Sequence, residues 1–397
     1  MWQRTLDRVL ARTIRQGSLT LHHADGTATR HGDGSGPDVS VTCTDPAFPR
    51  RFLLNPERAV GEAYTEGALT IAGDDLHGFL ELGVRNMPQG VGIGVESHVG
   101  PFLRRLRQYN PAPRARRNVA HHYDLSRNLY DLFLDADRQY SCAYFKTPDD
   151  SLETAQAQKK AHIARKLCLE PGMRVLDIGC GWGGMALTLA RDFGVRVVGV
   201  TLSEEQCALA RERVAEAGLD GRVEIRLQDY RAVSERFDRI VSVGMFEHVG
   251  VPHYDEYFAK LRDLLAEDGV ALVHSIGRRS PPGRTSPWIE RYIFPGGYVP
   301  SLSEMAAAFE RQGLWLTDLE VLRLHYAMTL RHWYDRFMAN LDAARALYDE
   351  RFCRMWRFYL VASEQTFRFG QQGVFQAQLA RRRDAVPLTR DYLCGTG

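Results

Sequence analysis

At 397 residues the chain exceeds a usual single core, so one large and one small domain is the natural arrangement. A hydrophobic share of 44% beside 25% charged residues describes an ordinary globular protein, and the near-balanced net charge of +2 argues against a nucleic-acid binder driven by overall charge. The seven cysteines are scattered, odd in number and never spaced C-x-x-C, which reads as reduced thiols without a zinc cage; no apolar run of 18 residues and no signal-peptide pattern is present, so a cytoplasmic protein with at most peripheral membrane contact is expected.

Residues 1–100 read as a small α+β domain of their own. Ser18 to Leu21 and Thr27 to Arg30 flank Asp25-Gly26, a turn signal that predicts a hairpin. Val39 to Cys43 reads as another strand. Pro56 to Tyr64 reads as a helix, with Asn55 as cap and Pro56 at its first position. A basic linker over 101–117 follows, carrying Arg104, Arg105, Arg107, Arg114, Arg116 and Arg117 and broken by Pro111 and Pro113. Such a run is either a solvated connector or a surface attracted to anionic lipid.

From residue 118 to the last residue the pattern alternates between helix and strand. Strands are expected at 173–178, 195–200, 222–227, 237–243, 269–275 and 318–325, and Gly373 to Leu379 as a last strand near the sheet edge. Helices fill the gaps, among them Glu204 to Ala217 and Tyr254 to Leu265. Alternation of this kind predicts an α/β fold whose mostly parallel sheet is covered on both faces. The Pro- and Gly-rich segment Arg278 to Pro300 interrupts it after the fifth strand and reads as a lid or substrate wall.

The first of these strands ends in Val175-Leu176-Asp177-Ile178-Gly179-Cys180-Gly181-Trp182-Gly183-Gly184, and helical spacing resumes from Met185. A glycine-rich turn between a strand and a helix N-terminus lets backbone lie directly against a ligand. Gly179, Gly181 and Gly184 also fit the dinucleotide fingerprint. Two details favour S-adenosylmethionine over NAD. Asp177 stands two residues before the first glycine, where it can meet the amino-acid end of that molecule. The acid expected about 20 residues on for a dinucleotide ribose is missing. Thr201-Leu202-Ser203 occupies the end of the second strand instead, and Glu204 and Glu205 already belong to the next helix.

Strand ends supply the chemistry, because ligands sit outside the carboxyl ends of such sheets. Topology brings Glu247, after the fourth strand, His274, ending the fifth, and Tyr326, after the sixth, toward one rim. A strand-end histidine serves equally as a hydrogen-bonded core residue. Glu247 must find a partner or face a cavity. Cys142 has no identified base beside it, so a structural or backbone role fits better than thiolate attack. The aromatics Tyr140, Tyr144, Phe145, Phe246, Trp288, Tyr292 and Phe294 cluster at strand ends and in the long loop, which predicts an apolar slot. His121, His122, His248 and His253 have no recognised zinc spacing, and no metal is expected.

Seven stretches together resemble the cyclopropane-fatty-acyl-phospholipid synthase family, to which mycolic acid cyclopropane synthases belong. They are His122 to Ser126, Tyr140 to Phe145, Val175 to Gly184, Val198 to Gln206, Gln228 to Tyr230, Phe237 to Gly250 and Trp288 to Pro295. The likeness covers about residues 118–380, and residues 1–100 look more loosely like the family's lipid-binding domain. The resemblance implies a Rossmann-like, seven-stranded methyltransferase sheet. It implies that Asp177 and the turn residues Gly179, Cys180, Gly181, Trp182 and Gly183 cradle the methionine part of S-adenosylmethionine. Thr201, Leu202 and Gln206 would hold the nucleoside, with Gln228, Asp229 and Tyr230 near the adenine and Tyr140 and Ser141 closing over the whole. It further implies a bicarbonate held by backbone groups of Cys142 and Ile276 and by the side chains of Glu247, His274 and Tyr326.

The activity so implied is delivery of a methyl carbon to the cis double bond of phospholipid acyl chains, at a membrane surface that the arginines predict to be anionic. The enzyme would be a cytoplasmic protein on the inner face of that membrane, and the resemblance suggests a homodimer. Three other readings stay open: methyl branching without ring closure, N-methylation of a small amine, and a non-catalytic lipid-binding protein.

Overall fold

A computed structural model of the chain describes residues 1–87 and 127–394. The arginine-rich linker and the His121 to Ser126 stretch lie outside the described residues. Two compact units emerge, and neither is a single run of sequence. Among the described residues the first comprises 1–87, Gly283–Pro295 and Ala327–Gln372, and the second 127–282, Gly296–Tyr326 and 373–394. A division at one linker near residue 100 does not anticipate this, because two later segments return to the first unit.

In the first unit β1 (Ser18–His22) and β2 (Ala28–Gly32) form the expected antiparallel hairpin. Strand β3 (Asp38–Cys43) lies parallel to β1, and β4 (Leu69–Ile71) closes the sheet in the order β2-β1-β3-β4. The helix Pro56–Thr65 starts as its sequence dictates: the Asn55 side chain accepts the Arg58 N–H, and proline fills a position whose N–H would have no partner.

The second unit carries a seven-stranded sheet. Its strands are β5 (Arg174–Ile178), β6 (Arg196–Thr201), β7 (Val223–Leu227), β8 (Phe237–Val243), β9 (Leu265–Arg278), β10 (Trp315–Val321) and β11 (Gln372–Ala380). The order is β10-β11-β9-β8-β5-β6-β7. The β5–β6, β6–β7, β5–β8 and β8–β9 pairs are parallel, and β10–β11 is antiparallel. The sheet order reverses direction between β5 and β8, a switch point at which a crevice opens beyond the strand ends. Buried apolar side chains from both sheet faces form two clusters, around Leu176, Val200 and Phe258 on one side and Val175, Leu189 and Ala210 on the other.

Two boundaries differ from expectation. Strand β9 begins at Leu265, paired with Phe237, rather than at 269. The sixth strand stops at Val321, so Tyr326 lies in the first turn of the His325–Ala339 helix and not on a strand end. The last strand lies near the sheet edge as expected: β11 runs between β9 and the edge strand β10. The long segment after β9 contains the helix Pro287–Tyr292 and is pinned at its base, where Arg278 N–H donates to the Pro300 carbonyl at 2.8 Å.

Candidate functional site

The glycine turn after β5 is built from left-handed backbone. Gly179 has φ +82°, and a Cβ there would come within 3.1 Å of the Met245 side chain. The Gly179 and Cys180 amides both donate to the Val200 carbonyl, at 2.9 and 3.1 Å, which folds the turn across the end of β6. At Gly184 the requirement is space: a Cβ would strike the side chains of Gln139 and Asp137. Asp177 is 2% exposed; burial pushes its carboxyl up to about 7, and Oδ2 is buried without a hydrogen-bond partner. A buried, unmatched carboxyl oxygen beside a turn of this kind is a docking point for a donor group from a ligand.

A cleft opens above the turn, with about 840 Å³ of empty space including open solvent. That is ample for a nucleoside joined to an amino acid. Gly179, Gly181, Thr201, Leu202, Gln206, Gln228, Asp229 and Tyr230 line it, which brings eight sequence-predicted residues to one wall. Its polar rim is preset: Thr201 Oγ1 donates to Gln206 Oε1 at 3.1 Å, and the Gln228 amide donates to the Thr201 carbonyl at 3.0 Å. Arg231 takes both oxygens of Asp229, at 2.9 and 2.7 Å. Ile178, Val200, Val243 and Met245 make the wall apolar. Met245, His248, Val249, Arg231 and His253 were not anticipated as lining residues. Burial lowers the His248 imidazole to about 4, so the ring is neutral, and its only earlier reading was as a rejected zinc ligand.

Tyr140, Ser141, Asp177, Cys180, Trp182 and Gly183 stand outside that lining. Cys180 is buried, and Gly183 caps the helix Gly184–Phe193 in the left-handed region. Trp182 meets Tyr130 edge-on at 5.0 Å, and Tyr130 meets Tyr140 at 5.3 Å, so an aromatic stack ties the segment holding Tyr140 to the glycine turn. Ser141 is 9% exposed and is held by Gln156, whose amide donates to the Ser141 carbonyl at 3.0 Å.

The second half of the site lies beyond β8 and β9. Glu247 sits in a short turn, Phe246–His248, directly after β8. Its Oε1 accepts the Ile276 N–H at 2.6 Å, and its Oε2 is buried without a partner. Burial pushes this carboxyl up to about 7, against which the Ile276 amide pulls down. His274 pairs in register with Val243 and is 2% exposed. Its Nδ1 lies 3.1 Å from the side-chain nitrogen of Gln376 on β11. With the Gln376 amide in this orientation its nitrogen donates to Nδ1, which places the proton of the neutral ring on Nε2. Burial, assisted by Lys159, drives the imidazole down to about 3 and keeps it uncharged at ordinary pH.

Cys142 is fully buried, and its thiol donates to the Ala143 carbonyl at 3.3 Å. Tyr326 is 8% exposed. Their segments are joined: Phe145 N–H donates to His325 Nδ1 at 3.0 Å, and the Tyr144 ring stacks on His325 at 4.9 Å. Glu247 and Ile276 are therefore bonded directly, His274 is carried on the same strand as Ile276, and Cys142 and Tyr326 come from a loop and a helix start pinned to each other.

The expected apolar slot is only partly realised. Phe246 is core, packed on Tyr254 at 4.3 Å and on Phe258 at 5.4 Å. Trp288 packs within the first unit, 4.7 Å from the Phe358 ring, and Tyr292 donates to Glu62 at 3.0 Å in that same unit. Among the described residues no group of three or more His, Cys, Asp or Glu is arranged to hold a metal ion.

Residues 111–377 match the family described as mycolic acid cyclopropane synthetase. The chain belongs to that family. It is 41% identical over 353 residues to a cyclopropane-fatty-acyl-phospholipid synthase of Escherichia coli K12, covering 88% of this chain and 89% of that protein. It is also 37% identical over 390 residues to a tuberculostearic acid methyltransferase of Mycobacterium tuberculosis, covering 94% of this chain and 90% of its relative. A solved mycolic acid cyclopropane synthase in complex with SAH and CTAB superposes with a TM-score of 0.64 at 35% identity, over 68% of this chain and 99% of that one. This member of the family is an S-adenosylmethionine-dependent methyltransferase of the cyclopropane synthase type, on a Rossmann-like sheet.

Proposed function

We propose that this enzyme adds the methyl carbon of S-adenosylmethionine across the cis double bond of phospholipid acyl chains and closes a cyclopropane ring. Bicarbonate would be held by Glu247, His274 and Tyr326 through side chains and by Cys142 and Ile276 through backbone groups. The observation that carries the reading is Glu247, a buried carboxyl with one oxygen fixed by Ile276 and the other left without a partner. Bound, S-adenosylmethionine supplies an electrophilic methyl group and bicarbonate a base.

The chain's own residues do the rest. Glu247, poised near neutral pH, can hold or release a proton at Oε2. Neutral His274 offers an N–H at Nε2 without placing a positive charge where a carbocation would form. Tyr130 and Phe133 pack edge-on against Tyr140, and such aromatic surroundings would help exclude water and stabilise positive charge. Gly179 to Gly183 with Asp177 would hold the methionine part, Thr201, Leu202 and Gln206 the nucleoside, and Gln228, Asp229 and Tyr230 the adenine end.

The test is mass and chain analysis of unsaturated phospholipid vesicles incubated with enzyme and S-adenosylmethionine. A gain of one CH2 with loss of the alkene supports ring closure; no gain overturns the reading. The second reading, methyl branching, is favoured by the tuberculostearic acid methyltransferase relative, which spans nearly the whole chain and is not named for a ring. It predicts the same gain with the alkene retained.

Substrate inside a bilayer requires a membrane-facing surface. No helix among the described residues is long and apolar enough to cross a membrane, so contact would be peripheral. Arg114, Arg116 and Arg117 would supply attraction to anionic lipid, each contributing about 1 kcal/mol. Reversing their charge should weaken vesicle binding measured by sedimentation, and unchanged binding would make them an inert linker.

A further inference from the structure

Lys159, on the Leu152–Lys166 helix, is fully buried and takes no part in the assignments above. Its Nζ donates to Gln139 Oε1 at 2.6 Å and to Ser141 Oγ at 2.8 Å. Gln156, one turn earlier, donates to the carbonyls of Gln139 and Ser141 at 3.2 and 3.0 Å. One helix face therefore grips the strap that carries Tyr140 at both of its flanking residues.

The upstream end of the strap is tied to the glycine turn. Asp137 receives Lys160 at 2.5 Å and pairs with Arg213, which also donates to the Trp182 carbonyl at 2.7 Å. Gln139 and Asp137 occupy the space a side chain at Gly184 would need, so the strap lies directly on the turn.

The charged and titratable groups facing Lys159 are Asp135 and Asp137 on the strap, Asp177 at the end of β5, Lys160 on its own helix, Cys142 and His274. Asp177 is the group whose Oδ2 has no partner, and Lys159 is the one charge that acts on it to favour ionisation. Burial brings the Lys159 ammonium down to about 8, so its charge is lost at mildly alkaline pH.

We propose that Lys159 is a positioning residue for the cofactor: its ammonium clamps Gln139 and Ser141 onto the glycine turn and faces Asp177 with positive charge, so that S-adenosylmethionine binds tightly only while Lys159 is protonated. This rests on the reading that the strap and the turn hold that cofactor. Neutral Lys159 keeps N–H donors but loses the charge that strengthens both bonds. Its favourable influence on Asp177 ionisation disappears with it.

The experiment is calorimetric titration of the full-length enzyme with S-adenosylmethionine from pH 6.5 to 9.5, for wild type, Lys159→Met and Ser141→Ala. Wild-type affinity should fall above about pH 8. Lys159→Met should bind about tenfold or more weakly at pH 7 and lose that alkaline fall, while kcat at saturating cofactor changes less than KM. The ligand's own amino group titrates nearby, at about 8, but it affects all three proteins equally, so the difference between profiles is the readout. If Lys159→Met does not fold, Ser141→Ala carries the test with a severalfold loss and a shallower alkaline limb. Affinity within twofold of wild type and an unchanged pH profile in the variants would overturn the proposal. Absence of binding by wild type at every pH would overturn the cofactor reading beneath it.

Discussion

Over β5 and β6 the candidate site is made of backbone, whereas over β8 and β9 it is made of buried ionisable side chains. The first half owes its shape to left-handed glycines and to amides bonded to the Val200 carbonyl. The second owes its character to Glu247 and His274, both shifted by burial toward their uncharged forms. A backbone-built half is sensitive to added volume, and pH reaches it only through the buried Asp177 and Lys159 beside it. A side-chain-built half is sensitive to pH and to the loss of one partner atom, and it carries the desolvation cost that catalysis uses.

Substitutions should separate the halves. The largest effect is expected for Glu247→Ala or His274→Ala, which should lose at least about a hundredfold in ring formation on vesicles while calorimetry still reports cofactor binding. Unchanged turnover in both variants would sink the assignment. Gly179→Ala should do the opposite. A side chain at φ +82°, close against Met245, should lower stability by about 1–2 kcal/mol and weaken cofactor binding before it touches kcat at saturation. Normal cofactor affinity in that variant would erase the contrast.

A smaller loss is expected for Gln376→Leu, which removes the donor to His274 Nδ1 but no group that touches substrate. About tenfold lower kcat with unchanged cofactor affinity is expected. The last effect concerns stability rather than turnover. The Glu247 carboxyl ionises near 4.5 in an unfolded chain and near 7 in the fold, so its contribution is complete below 4.5 and is lost as pH rises through 7. Glu247→Gln escapes that loss. It should therefore melt higher than wild type at pH 8, by about 1–3 kcal/mol of stability, and no higher at pH 4. Equal melting at both would mean that the carboxyl is better solvated than its burial implies.

The same contrast explains what the sequence disclosed. Strands β5, β6, β8 and the buried stretch of β9 read as apolar runs because both of their faces are covered, and the glycine turn is written in consecutive residues. Strand β10 was displaced toward 325 because it is an edge: Trp315 and Leu316 are 53% and 39% exposed, and an irregularity between Leu316 and Asp318 breaks the alternation. Topology pointed Glu247, His274 and Tyr326 toward one rim, but only family resemblance gave the reaction half a role, since its bonds join residues far apart in the chain, Glu247 to Ile276 and His274 to Gln376. Lys159 stayed hidden for another reason. A lysine in a helix beside Lys160 reads as a solvated face, and only the fold shows that its amine points inward.

The position of β11 bears on how the enzyme comes to life. It arrives last in the chain yet inserts beside β9, the strand of His274 and Ile276, and it brings Gln376 to the imidazole. A nascent polypeptide that has emerged through residue 370 can pair β5 to β9, but it leaves the flank of β9 open and the histidine ring unset. Completion of the β8–β9 half thus waits for β11 to emerge, and a chain truncated before residue 372 would be expected to bind cofactor without turning it over.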